Sequence, residues 1–170
     1  MLKLLGLACI VGASSGVGFG YARSVGRRQH QLQSLIAALS AMESEIRYRM
    51  TPLSELFAQL ANASDGAVGE LFRTLSDGLA ANRCANVYML MKNALTAKAL
   101  ALSGQTRQAM LTLSSTMGRL DVEGQCRSIS LTRQRLSQEL AVLDADGKSR
   151  AASYRTIGIC AGLAAAVILV

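Results

Sequence analysis

The chain has no tryptophan, one proline, one histidine, four tyrosines and three phenylalanines in 170 positions. Each scarcity excludes something. A lone histidine, His30, cannot build a histidine-based metal site or catalytic triad. The four cysteines, Cys9, Cys84, Cys126 and Cys160, are too widely spaced for a paired-thiol motif. So few aromatic residues leave no stacking platform interleaved with basic side chains, which disfavours nucleic acid. The apolar half of the composition is mostly Ala and Leu, a palette for helices rather than sheets. The length allows at most one ordinary domain. What is present in excess is positive charge, 18 Lys and Arg against 11 Asp and Glu. Such a surplus points to a polyanion or a membrane surface.

The apolar residues are concentrated at the two ends. Leu4 to Ala22 carries no charge, and neither do the last residues, Thr156 to Val170. A bilayer core of about 30 Å needs roughly 20 helical residues, so 4–22 is expected to be a transmembrane helix. The 156–170 segment covers about 22 Å at about 1.5 Å per residue and is expected to be a second, shorter span, helped by Tyr154 and Arg155 at the interface. No small-x-small cleavage site follows the first run, which passes directly into an amphipathic helix, so its removal is not expected. Arg23, Arg27, Arg28, Lys148, Arg150 and Arg155 flank the spans on the side of the middle segment. By the positive-inside rule, residues 23–155 form a cytoplasmic domain with both termini across or at the far interface. Much of the positive surplus then becomes juxtamembrane charge that favours anionic lipid.

Between the ends the spacing is helical throughout. Leu32, Leu35, Ile36, Leu39, Met42, Ile46 and Met50 place one long helix from Lys3 to about Met50. Thr51-Pro52 ends it, with Thr51 expected as the cap of a second helix through Leu53, Leu56, Phe57 and Leu60. A turn at 62–66 leads to a third helix over Val68–Leu79. A fourth is expected over about Asn86–Leu102 and a fifth over about Gln105–Met117. Gly118 reads as a left-handed cap, and Asp121 as the N-cap of a last long helix through Val122, Ile129, Leu136 and Leu143. The expected fold is all-α: two long antiparallel end helices running into the membrane, with three or four shorter helices forming the domain between them.

Several motifs invite a sharper reading. Val11-Gly12-Ala13-Ser14-Ser15-Gly16-Val17-Gly18 resembles the nucleotide-binding turn of short-chain dehydrogenases, and Tyr88 with Lys92 resembles their Tyr-x-x-x-Lys pair. That turn works only between a strand and a helix of a parallel sheet, and no strand pattern exists here. The glycines have a membrane explanation instead. Gly12, Gly16 and Gly20 line one helix face and Gly158 and Gly162 another, so the spans are expected to pack through these small faces. Glu43 and Glu45 point roughly 200° apart on a helix and cannot act as a pair. Glu43 lies beside the apolar stripe and is expected to bind an arginine of the last helix, such as Arg133 or Arg135, or else a partner. Glu45 is expected to be the more exposed of the two. No nucleophile, base and oxyanion donors come together, so neither catalysis nor a cofactor, metal or small-molecule substrate is expected.

The string Leu39-Ser-Ala-Met-Glu43-Ser-Glu45-Ile46-Arg-Tyr48-Arg-Met-Thr51-Pro52-Leu53 resembles the stage III sporulation protein AB family. So do Met1 to Gly6, Met117-Gly118-Arg119-Leu120-Asp121 with Gln125, and Tyr154 to Gly158 before the apolar tail. The resemblance implies a membrane hairpin made in the mother cell of an endospore-forming bacterium. It implies a non-enzymatic structural or adaptor subunit of a secretion-like channel in the membranes around the forespore. The implied partners are the other channel subunits, the complex ATPase and lipid, not nucleic acid. Glu43, Glu45, Ile46, Tyr48, Thr51, Pro52 and Leu53 are the element expected to matter most, as a partner contact or as a structural corner. The basic excess leaves open a membrane-bound helical regulatory or nucleic-acid-binding module without catalytic activity.

Overall fold

A computed structural model describes the backbone of residues 2–81, 86–97 and 100–169, and the side chains of 24–81, 86–96 and 100–147. The described residues form six helices and no strand: α1 (Leu2–Tyr48), α2 (Leu53–Ala63), α3 (Gly66–Ala80), α4 (Val87–Ala97), α5 (Gly104–Thr116) and α6 (Val122–Leu169). At about 1.5 Å per residue, α1 and α6 are each about 70 Å long. Among the described residues no helix is long and apolar enough to cross a membrane. The expected spans, 4–22 and 156–170, and their glycine faces at Gly12, Gly16, Gly20, Gly158 and Gly162 lie outside the residues with described side chains.

The two long helices are antiparallel. Arg28 of α1 meets Glu139 of α6, Ser40 meets Arg133, and the Glu43 carbonyl lies 3.9 Å from the Cys126 sulfur. Leu32, Leu35, Leu39, Met42 and Ile46 of α1 and Cys126, Ile129 and Leu136 of α6 are buried between them and the four short helices. The short helices follow one another around the core, each packed on its chain neighbours, and α1 on α6 closes the ring. The spacing of apolar residues drives this arrangement, since each short helix buries one stripe and leaves the opposite face wet. In α2 and α3 the stripes are Leu56, Phe57, Leu60 and Val68, Leu71, Phe72, Leu75. Phe57 and Phe72 stack with ring centroids 6.1 Å apart. Gly69 permits the tight α2–α3 turn. A β-carbon there would lie 2.1 Å from the Ser64 carbonyl oxygen.

Three joints differ in instructive ways. Gly118 has φ +72° and the Asp121 carboxylate accepts the Gly124 N–H at 3.1 Å, so the turn before α6 forms as the sequence suggests. The fourth helix, expected to reach Leu102, ends at Ala97. Leu100 is instead buried, and the Ala101 N–H donates to Gln31 Oε1 of α1 at 2.8 Å. Burying Leu100 and satisfying this amide outweigh another turn of helix. Thr51 does not cap α2. Pro52 takes the N-cap position with extended backbone, its carbonyl accepts the Leu56 N–H, and the Thr51 hydroxyl donates to Glu45 Oε2 at 3.0 Å. A bond to a charged carboxylate outweighs a neutral cap.

Candidate functional site

The corner between α1 and α2 contains every residue of the element singled out in the sequence. Ile46 faces the core and is buried; Leu53 is half-buried against it. The two glutamates leave the helix in different directions, as their spacing requires. Glu43 Oε2 lies 3.5 Å from Arg133 Nη2 of α6, and its Oε1 lies 3.1 Å from Arg47 Nη2. Arg133 also donates to Ser40 Oγ at 3.0 Å. Of Arg133 and Arg135, Arg133 is thus the one that binds Glu43. Glu45, 21% exposed against 18% for Glu43, is the more exposed by a small margin and is equally engaged: Oε2 accepts from Thr51, and Oε1 lies 3.3 Å from Arg49 Nη1. Both carboxylates are committed to holding the corner, one across to α6 and one over the chain reversal. The Thr51–Glu45 contact spans the reversal at which α2 leaves α1.

That commitment determines what the corner displays. Tyr48 and Met50 are 79% and 74% exposed, the largest exposures among the big apolar side chains of the described residues. The half-exposed Leu120 stands in the α5–α6 turn. That turn shares the same end of the bundle, where a β-carbon on Gly118 would lie 3.6 Å from Leu53 Cδ1. Met50 has φ +50°, a left-handed conformation that a non-glycine residue adopts at a cost of about 1–2 kcal/mol. Strain of this kind is kept where the surroundings over-determine a local shape. Met50→Gly should therefore raise stability by about 0.5–1 kcal/mol, after allowing for the greater freedom of glycine in the unfolded chain. A urea midpoint that falls instead would show that the Met50 side chain contributes packing not evident from its exposure.

A second polar constellation was not singled out in the sequence. Glu139 of α6 is 13% exposed. Its Oε1 lies 2.6 Å from Arg28 Nη2, and its Oε2 accepts from Ser103 Oγ at 2.5 Å and from the Thr106 hydroxyl. Ser103 is also the N-cap of α5, accepting the Thr106 N–H at 3.0 Å. One carboxylate thus joins α1, α5 and α6. Burial alone would raise its pKa, but the Ser103 and Thr106 hydroxyls and then Arg28 outweigh burial and hold it below the ordinary glutamate range. The signal was present in the chain, because Glu139 falls three residues after Leu136 and four before Leu143, on the apolar face of its helix. The partners Arg28 and Ser103 depend on helix register and could not be read from spacing.

Catalytic parts do not assemble in either place. Tyr88 and Lys92 share one turn of α4 with no adjoining strand, and among the described residues no group of His, Cys, Asp and Glu could hold a metal. Charge is equally telling. From residue 24 to 147 the chain carries thirteen Lys and Arg against eleven Asp and Glu, so most of the net charge of +7 belongs to Lys3, Arg23, Lys148, Arg150 and Arg155. A helical body with so small a charge surplus is a poor ligand for a polyanion.

The chain is similar to known proteins of one family. The family model of stage III sporulation protein AB matches residues 3–170. The stage III sporulation protein AB of Bacillus subtilis (strain 168) is 42% identical over 79 residues, 46% of this chain and 46% of that protein. The aligned stretch thus spans just under half the length of that relative. A solved structure of a stage III sporulation protein AB is 25% identical and superposes with a TM-score of 0.65, covering 72% of this chain and 98% of the other.

Proposed function

The chain belongs to the stage III sporulation protein AB family, and from that premise we propose that it is a non-enzymatic adaptor subunit of the channel complex between mother cell and forespore. In this reading residues 4–22 and 156–170 anchor it in the mother-cell membrane, packed through the small faces at Gly12, Gly16, Gly20, Gly158 and Gly162. Residues 23–155 then form a cytoplasmic domain that meets the complex ATPase or the channel subunits. Lipid is the other partner; nucleic acid and small-molecule substrates are not.

The observation that carries the proposal is the corner. Glu43, Glu45 and Thr51 are spent on one another's surroundings, so Tyr48 and Met50 are presented rigidly and uncovered. Exposed tyrosine and methionine on a pre-organised support are the side chains enriched where proteins meet. Ile46, Pro52 and Leu53 act behind them as packing. Tyr48→Ala should reduce heat-resistant spore counts at least tenfold while leaving the melting temperature unchanged, because the ring touches water rather than core. Recovery of partner subunits with the tagged chain should fall in parallel. Gly12→Leu combined with Gly16→Leu should lower that recovery through the anchor instead. Wild-type spore counts and wild-type recovery in both variants would reject the adaptor reading.

A further inference from the structure

A helix that ends just before a proline has few ways to turn. Pro52 fixes its own φ and keeps Thr51 out of the helical region, so the reversal from α1 into α2 falls on Arg49 and Met50. At such an end the left-handed residue is most often glycine, which adopts that conformation without steric cost. Here it is Met50, and among the described residues no other non-glycine residue has a positive φ. The Met50 side chain is 74% exposed, so its own packing does not hold the backbone in this state. The restraint has to come from the residues on either side.

One group reaches both of them. Glu45, in the last turn of α1, has Oε1 3.3 Å from Nη1 of Arg49, the residue before Met50. Its Oε2 accepts at 3.0 Å from the hydroxyl of Thr51, the residue after. A single carboxylate thus brackets the strained position. The core holds Leu53 and Leu56 downstream, and the Arg49 N–H donates to the Glu45 carbonyl at 2.9 Å upstream. Those anchors place the two helices but do not span Met50. Glu43 is the instructive contrast, because it too makes two ion pairs, with Arg47 and Arg133, and neither of them spans Met50.

We propose that Glu45 is the positioning residue of the corner: its carboxylate clasps Arg49 to Thr51, holds Met50 left-handed and so sets how the Met50 side chain is presented. Glu45 acts through Met50 and not by meeting a partner itself. With the clasp removed, Met50 relaxes to negative φ and its Cα–Cβ bond takes a new direction, while the core beneath stays packed. The consequence for binding rests on the reading of Tyr48 and Met50 as a partner contact; the conformational step stands on the geometry alone.

The test is a double-mutant cycle in the full chain, read by urea unfolding. Met50→Gly should raise the midpoint in the otherwise wild-type chain, because glycine accepts the conformation that methionine resists. In the Glu45→Ala background, where the strain is already released, the same substitution should lower the midpoint, since glycine then only adds freedom to the unfolded chain. Glu43→Ala, which also removes two ion pairs, should leave the gain from Met50→Gly intact. Thr51→Val cuts one arm of the clasp and should shrink the gain, which supplies the reading if Glu45→Ala does not fold. In sporulating cells, Glu45→Ala should lower recovery of partner subunits with the tagged chain about tenfold, the scale of one lost interface residue, and Thr51→Val by less. A Met50→Gly gain that is absent from the otherwise wild-type chain, unchanged by Glu45→Ala or abolished by Glu43→Ala would overturn the clasp. Wild-type recovery in Glu45→Ala, where Tyr48→Ala lowers it, would overturn its role in binding. Wild-type recovery in both variants, with the reversal of sign present, would instead reject the corner as a partner contact while the clasp stands.

Discussion

Glu139→Ala should lower the stability of the helical domain by about 3 kcal/mol, and its melting temperature by roughly 10 °C. The reason is the number of groups that lose a partner together. Arg28 already has a buried Nε without a hydrogen bond and would lose its carboxylate as well; Ser103 and Thr106 would lose their acceptor. Charge-assisted bonds of this kind contribute about 1.5–3 kcal/mol each in isolation, but they share one carboxylate and are not additive. The partial exposure of Arg28 keeps the total below that of a fully buried pair. Glu139→Gln preserves the shape and one acceptor and should cost about half as much.

The same group gives a signed pH dependence. Its folded-state pKa is held below the ordinary range, so the native chain binds this proton less readily than the unfolded one. The carboxylate's contribution is fully present above the unfolded value and disappears as pH falls through the lowered native value. Wild type and Glu139→Gln should therefore converge in stability on acidification below the ordinary glutamate range and stay parallel near neutral pH. Urea unfolding at several pH values would check this. A gap that widens toward acid pH would contradict the assignment of Arg28, Ser103 and Thr106 as the stabilising partners.

Phe72→Ala is expected to have the larger effect, about 4 kcal/mol. Phe72 is fully buried, stacks on Phe57, and sits where α2 and α3 meet the rest of the core. Its removal leaves a cavity that the tight turn at Gly69 hinders from closing, since Gly69 already sits against the Ser64 carbonyl. In a double-mutant cycle with Phe57→Leu, Phe72→Leu should show a coupling of about 0.5–1.5 kcal/mol from the ring pair. Only three phenylalanines are present, and two of them meet in this pair. A loss below about 1 kcal/mol would mean that α2 and α3 fold back upon the vacancy, so that their helical hairpin is less fixed than its contacts imply.

These residues also show how far the sequence could be read. Six helices and most of their ends followed from apolar spacing and punctuation: Pro52 ended the first long helix, and Gly118 with Asp121 introduced the last. The pairing of Glu43 with Arg133 was within reach because both lie beside apolar stripes on helices expected to run antiparallel. Thr51 reads as a cap because a hydroxyl before proline is a strong local signal, whereas its partner Glu45 acts across a corner whose shape is not local. Leu100 reads as helical because nothing nearby in the chain announces that Gln31, seventy residues earlier, takes the next amide. The Arg28–Glu139–Ser103 junction required three elements in register. Spacing within one helix can mark Glu139 as misplaced, but cannot say what compensates it.

The long pair α1 and α6 has a mechanical consequence. They are pinned to each other at separate levels, by Arg28 with Glu139 and by Arg133 with Ser40 and Glu43. Neither helix is interrupted between residues 24 and 47 or between 123 and 146. Sliding one along the other by a single residue would displace every pinned pair by about 1.5 Å, so the couple resists shear. A load applied at Tyr48 meets no hinge along this length and is carried as displacement toward the far ends of both rods, with the four short helices serving as bracing against buckling.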